Sequence, residues 1–170
     1  ALENYIDLRI IFIILLSKQP LFIYRLKMAP EISIREAQEN DLEVLIENNK
    51  ALANETESIQ LNADVLREGI IEALKRQECN YFVAVIGKKV VGQTMITQEW
   101  SDWRNCIIWW IQSVYVHPTH RKQGIFRALF KHIESLAKIN PQVKALRLYV
   151  MHNNNSAKET YQSLGMNDSG

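Results

Sequence analysis

An α/β fold is expected for this chain of 170 residues, and three observations carry the expectation. Ile107 to Val116, IIWWIQSVYV, consists largely of β-branched and aromatic residues that suit a pleated, mostly buried strand. From Ile125 the apolar spacing changes, and Ile125, Phe126, Leu129, Phe130, Ile133, Leu136 and Ala137 mark one face of a helix. Upstream, Gly87-Lys88 joins two further strand-like runs, Tyr81 to Ile86 and Val90 to Thr97, as a two-residue hairpin turn with glycine first.

The length supports one domain with its own core. An apolar fraction of 47% argues against a disordered chain. A net charge of +1 gives no reason to expect a nucleic-acid partner, and the basic residues gather locally around Arg121. Two cysteines, Cys79 and Cys106, fit a reducing, cytoplasmic setting better than a disulfide framework. The sequence has no internal repeat and no low-complexity tract.

Taken in order, residues 1–27 read as an irregular apolar extension, with Met28 as the natural start of a domain over 28–170. The longest apolar run there, Ile10 to Leu16, is short of the ~20 residues a membrane span needs. Glu3 and Asp7 ahead of it, with no small-residue cleavage site behind it, do not fit a signal peptide. Membrane association is therefore not expected; an interfacial anchor through Ile10 to Leu26 is the sharper alternative. Glu31 to Ala37 alternates and reads as a first strand. Asn40 is the expected cap of a helix bearing Leu42, Leu45, Ile46 and Leu52, with Glu43 three positions on. Asn62 is the expected cap of a second, bearing Leu66, Ile70 and Leu74. The hairpin follows, then Thr97 to Asn105 as a strand-to-strand connection, the strand Ile107 to Val116, and the helix from Ile125. Asn140-Pro141 ends that helix region. Ala145 to Val150 is a further strand, and Ser156 to Leu164 a last helix ending at Gly165.

The junction between the long strand and its helix is the stretch with chemical content. Pro118 stops the strand, His120-Arg121-Lys122-Gln123-Gly124 forms a basic loop, and Gly124 lets the chain turn into the first helical turn. That turn has unpaired N–H groups and the positive end of the helix dipole, a fitting seat for a diphosphate. Arg121, Lys122 and Arg127 add charge of the right sign. The bland reading of the same residues is a solvated basic turn.

Arg121-Lys122-Gln123-Gly124-Ile125-Phe126 resembles the R/Q-x-x-G-x-G/A loop of the GCN5-related N-acetyltransferases, the GNAT family. Asn154 to Met166, NNSAKETYQSLGM, looks like that family's N-x-x-A-x-x-x-Y-x-x-L-G-F pattern, and the two motifs stand in the right order with a strand between them. Phe126 stands where the family usually has Gly or Ala. The resemblance implies a mixed, mostly antiparallel central sheet flanked by helices, here lacking the family's last two strands, so that the strand at Leu146 is a bare edge and a homodimer is plausible. It also implies an acetyl-CoA-dependent N-acetyltransferase acting on a primary amine of a small molecule or protein.

By the same resemblance Arg121, Lys122, Gln123, Gly124, Ile125, Phe126 and Arg127 wrap the CoA diphosphate, the backbone of Val114, Tyr115 and Val116 pairs with the pantetheine amides, and Asn154 contacts the pantetheine or the phosphates. Tyr161 is then the acid that protonates the leaving thiolate; its plainer reading is a helix tyrosine packed on the sheet. Transfer further needs the ammonium to lose a proton and donors for the oxyanion. Glu99 is the candidate base, directly or through water. Asp102 pairs with a cationic amine and Trp100 and Trp103 wall the acceptor, with a twisted hairpin carrying a surface Asp–Arg pair as the plainer reading. No metal is expected: His117 and His120 lack a fourth ligand, and Cys106 reads as a buried thiol. The alternative to an enzyme is a non-catalytic, CoA-binding regulatory module, which Phe126 and the short C-terminal end favour.

Overall fold

The computed structural model describes residues 31–151 and 154–167. The expectations for residues 1–27, the interfacial anchor included, lie outside these residues. The described chain runs β1 (Ile32–Glu36), α1 (Leu42–Glu57), α2 (Ala63–Lys75), β2 (Cys79–Ile86), β3 (Lys89–Ser101), β4 (Cys106–Val116), α3 (Ile125–Ile139), β5 (Val143–Leu148) and α4 (Asn155–Ser163). The five strands form one sheet in the order β1-β2-β3-β4-β5. All neighbours are antiparallel except β4 and β5. This is the mixed, mostly antiparallel sheet expected, and among the described residues no strand follows α4.

Pleating divides the apolar residues between two faces. On one face Phe82, Ala84, Val91, Ile96 and Ile111 meet Ile125, Leu129, Phe130 and Ile133 of α3. On the other, Tyr81, Val83 and Val85 meet Leu45 and Ile46 of α1 and Ile70 of α2. Leu129 is fully buried; burying such a side chain contributes about 2 kcal/mol.

Local chemistry set several of these elements as expected. Asn62 caps α2 by accepting from the N–H groups of Asp64 and Val65 at 2.9 and 3.1 Å. Ile86 pairs with Lys89 across the two-residue Gly87-Lys88 turn. Asn40 does not cap α1: a short 3-10 turn, Glu39–Asp41, precedes the helix and Asp41 occupies the cap position. Asp41 is buried, accepts two bonds from the Arg35 guanidinium at 2.6 and 2.9 Å, and takes the Gln38 N–H at 2.8 Å. Those bonds from Arg35 hold its carboxyl below the usual carboxylate range. Thr97 to Asn105 is not a loose connection either: β3 runs through Ser101, and only a short turn separates it from Cys106.

Candidate active site

The site begins where β4 departs from regular pairing. Gln93 faces Tyr115 and Met95 faces Gln112, so Thr94 of β3 stands opposite both Ser113 and Val114. Ser113 takes up the extra residue with φ 49, a β-bulge. A bulge leaves backbone groups without ladder partners, and here two fully buried side chains of β3 bond them. Thr94 Oγ1 donates to the Gln112 carbonyl at 3.1 Å, and Gln93 Nε2 reaches the Ser113 carbonyl at 3.5 Å. The Gln93 amide oxygen accepts from Asn48 Nδ2 at 3.0 Å, which ties the bulge to α1. Pairing of β4 with β5 ends at Ile111–Leu148. From Gln112 to Val116, β4 therefore presents an edge with no strand partner on its β5 side among the described residues.

After β4, a 3-10 turn over Pro118–His120 leads to the basic loop. Lys122 and Gly124 both have positive φ, 60 and 81, which curls the chain into the start of α3. Glycine takes this conformation without steric cost, whereas a side chain with a Cβ is strained in it. The Ala128 N–H donates to the Gly124 carbonyl at 2.9 Å. The N–H groups of Ile125, Phe126 and Arg127 thus precede the first helical bond and are free for an anion. α3 can start this close to the sheet because Gly92 has no side chain: a Cβ there would lie 2.9 Å from Ile125 Cγ2 and 3.1 Å from the Tyr115 carbonyl.

The loop's side chains are arranged less simply than their charges imply. Arg121 folds back, its Nε donating to the Val116 carbonyl at 2.9 Å and its Nη2 pairing with Glu55 Oε2 of α1 at 2.6 Å. It also lies over the Tyr115 ring, 5.7 Å from its centroid. Arg127 Nη2 donates to Ser163 Oγ of α4 at 3.1 Å, and Gln123 Nε2 to the Thr119 carbonyl at 3.1 Å. Lys122 is exposed and has no ion-pair partner among the described residues. Phe126 turns its ring into the α3–α4 packing, 5.3 Å from Tyr161 and 6.2 Å from Phe130 between centroids. Its backbone N–H keeps its place in the first helical turn.

The contact with Phe126 places Tyr161 beside the start of α3. Burial holds its hydroxyl above the usual tyrosine range, so it stays protonated at neutral pH. Asn154 caps α4, accepting from the Ala157 N–H at 3.1 Å.

On the opposite face of the sheet, a cavity of about 550 Å³ lies between α2 and β2–β4, and Ser113 of the bulge is part of its lining. Tyr81 and Asn49 stand at this buried end, with Asn49 Nδ2 3.5 Å from the Tyr81 hydroxyl. Burial raises the Tyr81 pKa, against hydrogen bonds from Ser113 and Asn49 that lower it. None of Tyr81, Asn49, Asn48, Gln93 or Thr94 was marked by the sequence.

The remaining candidates lie further down the strands. Glu99 accepts from Trp110 Nε1 and has Arg147 Nη1 at 3.8 Å. Trp110 in turn stacks on Tyr149 at 4.6 Å. Glu99 pairs with Ile108, four residues along β3 from the Met95–Gln112 pair beside the bulge, which is about 13 Å. Trp100, Asp102 and Trp103 sit at the β3–β4 hairpin, where Trp103 is 91% exposed and Asp102 Oδ1 accepts the Trp103 N–H at 2.8 Å. β4 has 11 residues, so this hairpin is roughly 35 Å from the basic loop. The fold does not bring these three side chains to the turn. Among the described residues no group of three or more His, Cys, Asp or Glu is placed to hold a metal ion.

The profile of the acetyltransferase (GNAT) family matches residues 42–166. A thialysine N-epsilon-acetyltransferase of Bos taurus is 27% identical over 148 residues, spanning 81% of this chain and 85% of the relative. The solved structure of a possible acetyltransferase from Clostridium difficile 630 is 43% identical and superposes with a TM-score of 0.76, over 82% of this chain and 92% of its own. That of a predicted acetyltransferase from Clostridium acetobutylicum, solved with acetyl-CoA, shares the fold at a TM-score of 0.68 and 18% identity, over 82% of this chain and 92% of its own.

Proposed function

The chain belongs to the acetyltransferase (GNAT) family, and from that premise we propose how its own residues move the acetyl group of acetyl-CoA to an amine. One observation carries the reading. The free N–H groups of Ile125, Phe126 and Arg127 open at the end of the unpaired edge of β4, beside a protonated tyrosine. A diphosphate at the helix N-terminus and a pantetheine arm along Val114, Tyr115 and Val116 direct the thioester toward the bulge. Gly124 keeps the turn open, and Lys122, which has no ion-pair partner among the described residues, contributes charge. Arg121, Gln123 and Arg127 act chiefly by holding the loop's shape through Glu55, Thr119 and Ser163. Asn154 orients α4.

In the transfer, the lone pair of the neutral amine forms the new C–N bond and the C–S bond breaks. The Tyr161 hydroxyl hands its proton to the departing sulfur. The amine's proton leaves through water on the sheet face where Glu99 lies, since a carboxylate ~13 Å away is out of direct reach. Alignment of the two reactants alone can lower the barrier by about 7–11 kcal/mol.

The ring of Phe126 is packed against Phe130 and Tyr161, which removes one ground for a non-catalytic CoA-binding module, and the protonated Tyr161 hydroxyl beside the start of α3 favours the enzyme. We further read the domain as 28–170, the open edge of β5 as a homodimer seam, and the two free thiols as fitting a cytoplasmic setting. Thiol release from acetyl-CoA over a panel of amines tests the function. Turnover on at least one amine is expected; tight acetyl-CoA binding without turnover on any would favour the binding module.

A further inference from the structure

The cavity beneath α2 carries information about the acceptor. One stripe of α2, running from Val65 through Gly69 and Ala73 to Arg76, forms its outer wall, and Met95 and Tyr81 form part of its floor. The apolar part of its lining is Leu61, Val65, Leu66, Ile70, Ala73 and Met95. Val65 leaves 68% of its surface exposed at that wall, and Ile59 nearby in sequence 46%. The two charged residues of the lining have partners on their own stretch of chain: Glu72 with Lys75 at 3.1 Å and Arg76 with Glu78 at 2.9 Å. The least exposed polar residues of the lining are uncharged, Tyr81 and Asn49 being buried and Ser113 half-buried.

A second observation concerns Gly69. Glycine is the poorest helix former after proline, yet Gly69 lies in the middle of α2. A Cβ built there meets nothing within 4 Å. No neighbour in the fold requires a glycine at this position; it is exposed and lines the cavity, so the side chain it lacks leaves the cavity open to solvent there. The volume, about 550 Å³, is that of pockets that take small organic ligands.

We propose that the acceptor is a primary amine on an apolar arm, an alkylamine or arylalkylamine, which lies along the Gly69 stripe of α2 with its nitrogen at the Tyr81–Ser113 end. This rests on the acetyl-transfer reading above and names the acceptor class for it. The arm displaces water from Leu66, Ile70 and Met95, while the hydroxyls of Tyr81 and Ser113 accept the amine's N–H groups. The bulge at Ser113 is shared by this cavity and the open β4 edge, so the nitrogen arrives where the thioester is directed. An amino-acid or polyamine acceptor would instead need unpaired charges along the wall, where the charged residues among those described, Glu72 and Arg76, pair with Lys75 and Glu78.

The test is acetyl transfer to n-butylamine, n-hexylamine, n-octylamine and phenethylamine, against lysine, thialysine and spermidine, with acetyl-CoA affinity measured in parallel by calorimetry. The straight-chain amines share one basicity, so only the arm varies. kcat/KM is expected to rise about fourfold per methylene from butylamine to octylamine. Gly69→Phe, which sets a ring across the cavity's lining from a helix position open to a side chain, is expected to lower kcat/KM for the best apolar amine at least 30-fold, with acetyl-CoA affinity within twofold. Preference for lysine, thialysine or spermidine, or a flat chain-length series, overturns the acceptor class while leaving acetyl transfer standing. An unchanged Gly69→Phe profile overturns the assignment of this cavity. Failure of the folded wild type to bind acetyl-CoA overturns the acetyl-transfer reading itself, and this inference with it.

Discussion

The two ends of β4 look unlike each other, and the site proposed above lies at the less conspicuous one. At the hairpin end Trp100, Asp102 and Trp103 combine aromatic rings and charge on an exposed turn. At the other end the residues are plainer: a serine in a bulge, a glycine with positive φ, and three backbone N–H groups. What differs is convergence. The hairpin's only described partner for Asp102 is the neighbouring backbone. The bulge is tied to β3 by Gln93 and Thr94, through Gln93 to α1 by Asn48, and the following turn to α1 by Glu55. A buried polar side chain is costly unless it is satisfied, so such a network marks backbone that is held in place. Positioned backbone, more than reactive side-chain composition, is what this chemistry asks for.

The contrast can be broken or sharpened by substitution. Gly124→Val should have the largest effect, because a β-branched residue at φ 81 is strained and shifts the first turn of α3. Acetyl-CoA affinity by calorimetry should fall more than 100-fold while the far-ultraviolet spectrum is kept. Tyr161→Phe comes next: kcat should drop by about 10²-fold, the range of general acid catalysis, with KM for acetyl-CoA within threefold. Because burial raises the Tyr161 pKa, the kcat–pH profile of the wild type should show no alkaline fall below about pH 10, the ordinary tyrosine value. A fall near pH 8 would remove Tyr161 as the acid. Gln93→Leu leaves Asn48 and the Ser113 carbonyl without their partner; stability to urea should fall by about 1–3 kcal/mol, with a loss in kcat of roughly tenfold as the bulge loosens. Trp103→Ala should be smallest, within twofold in kcat/KM. A tenfold loss there would mean that the hairpin reaches the acceptor after all.

Much of the fold was legible because its signals are local. The Gly87-Lys88 hairpin, the Asn62 cap and the apolar face of α3 each depend on residues within a turn or two of one another. The misreadings have non-local causes. Asn40 lost the cap position to Asp41, which Arg35 draws in from β1. Thr97 to Ser101 looked like a connection because its polar residues lie on an exposed sheet face, where Trp110 Nε1 donates to Glu99 and Gln112 Nε2 to Thr97 across the strands. The sequence marks the basic loop as a candidate anion seat, but its arginines are bonded to Glu55 and Ser163, partners 66 and 36 residues away along the chain. Tyr81, Asn49 and Gln93 carried no signal at all: an isolated polar residue within a strand or helix pattern reads as surface until the fold buries it.

The most direct measurement is a calorimetric titration of the folded protein with acetyl-CoA and, separately, with acetyl-pantetheine, which has the same thioester arm and no diphosphate. If the free amides at the start of α3 hold the diphosphate, acetyl-CoA should bind one per chain and at least 100-fold tighter than acetyl-pantetheine. Equal affinities for the two would contradict the assignment of that helix N-terminus.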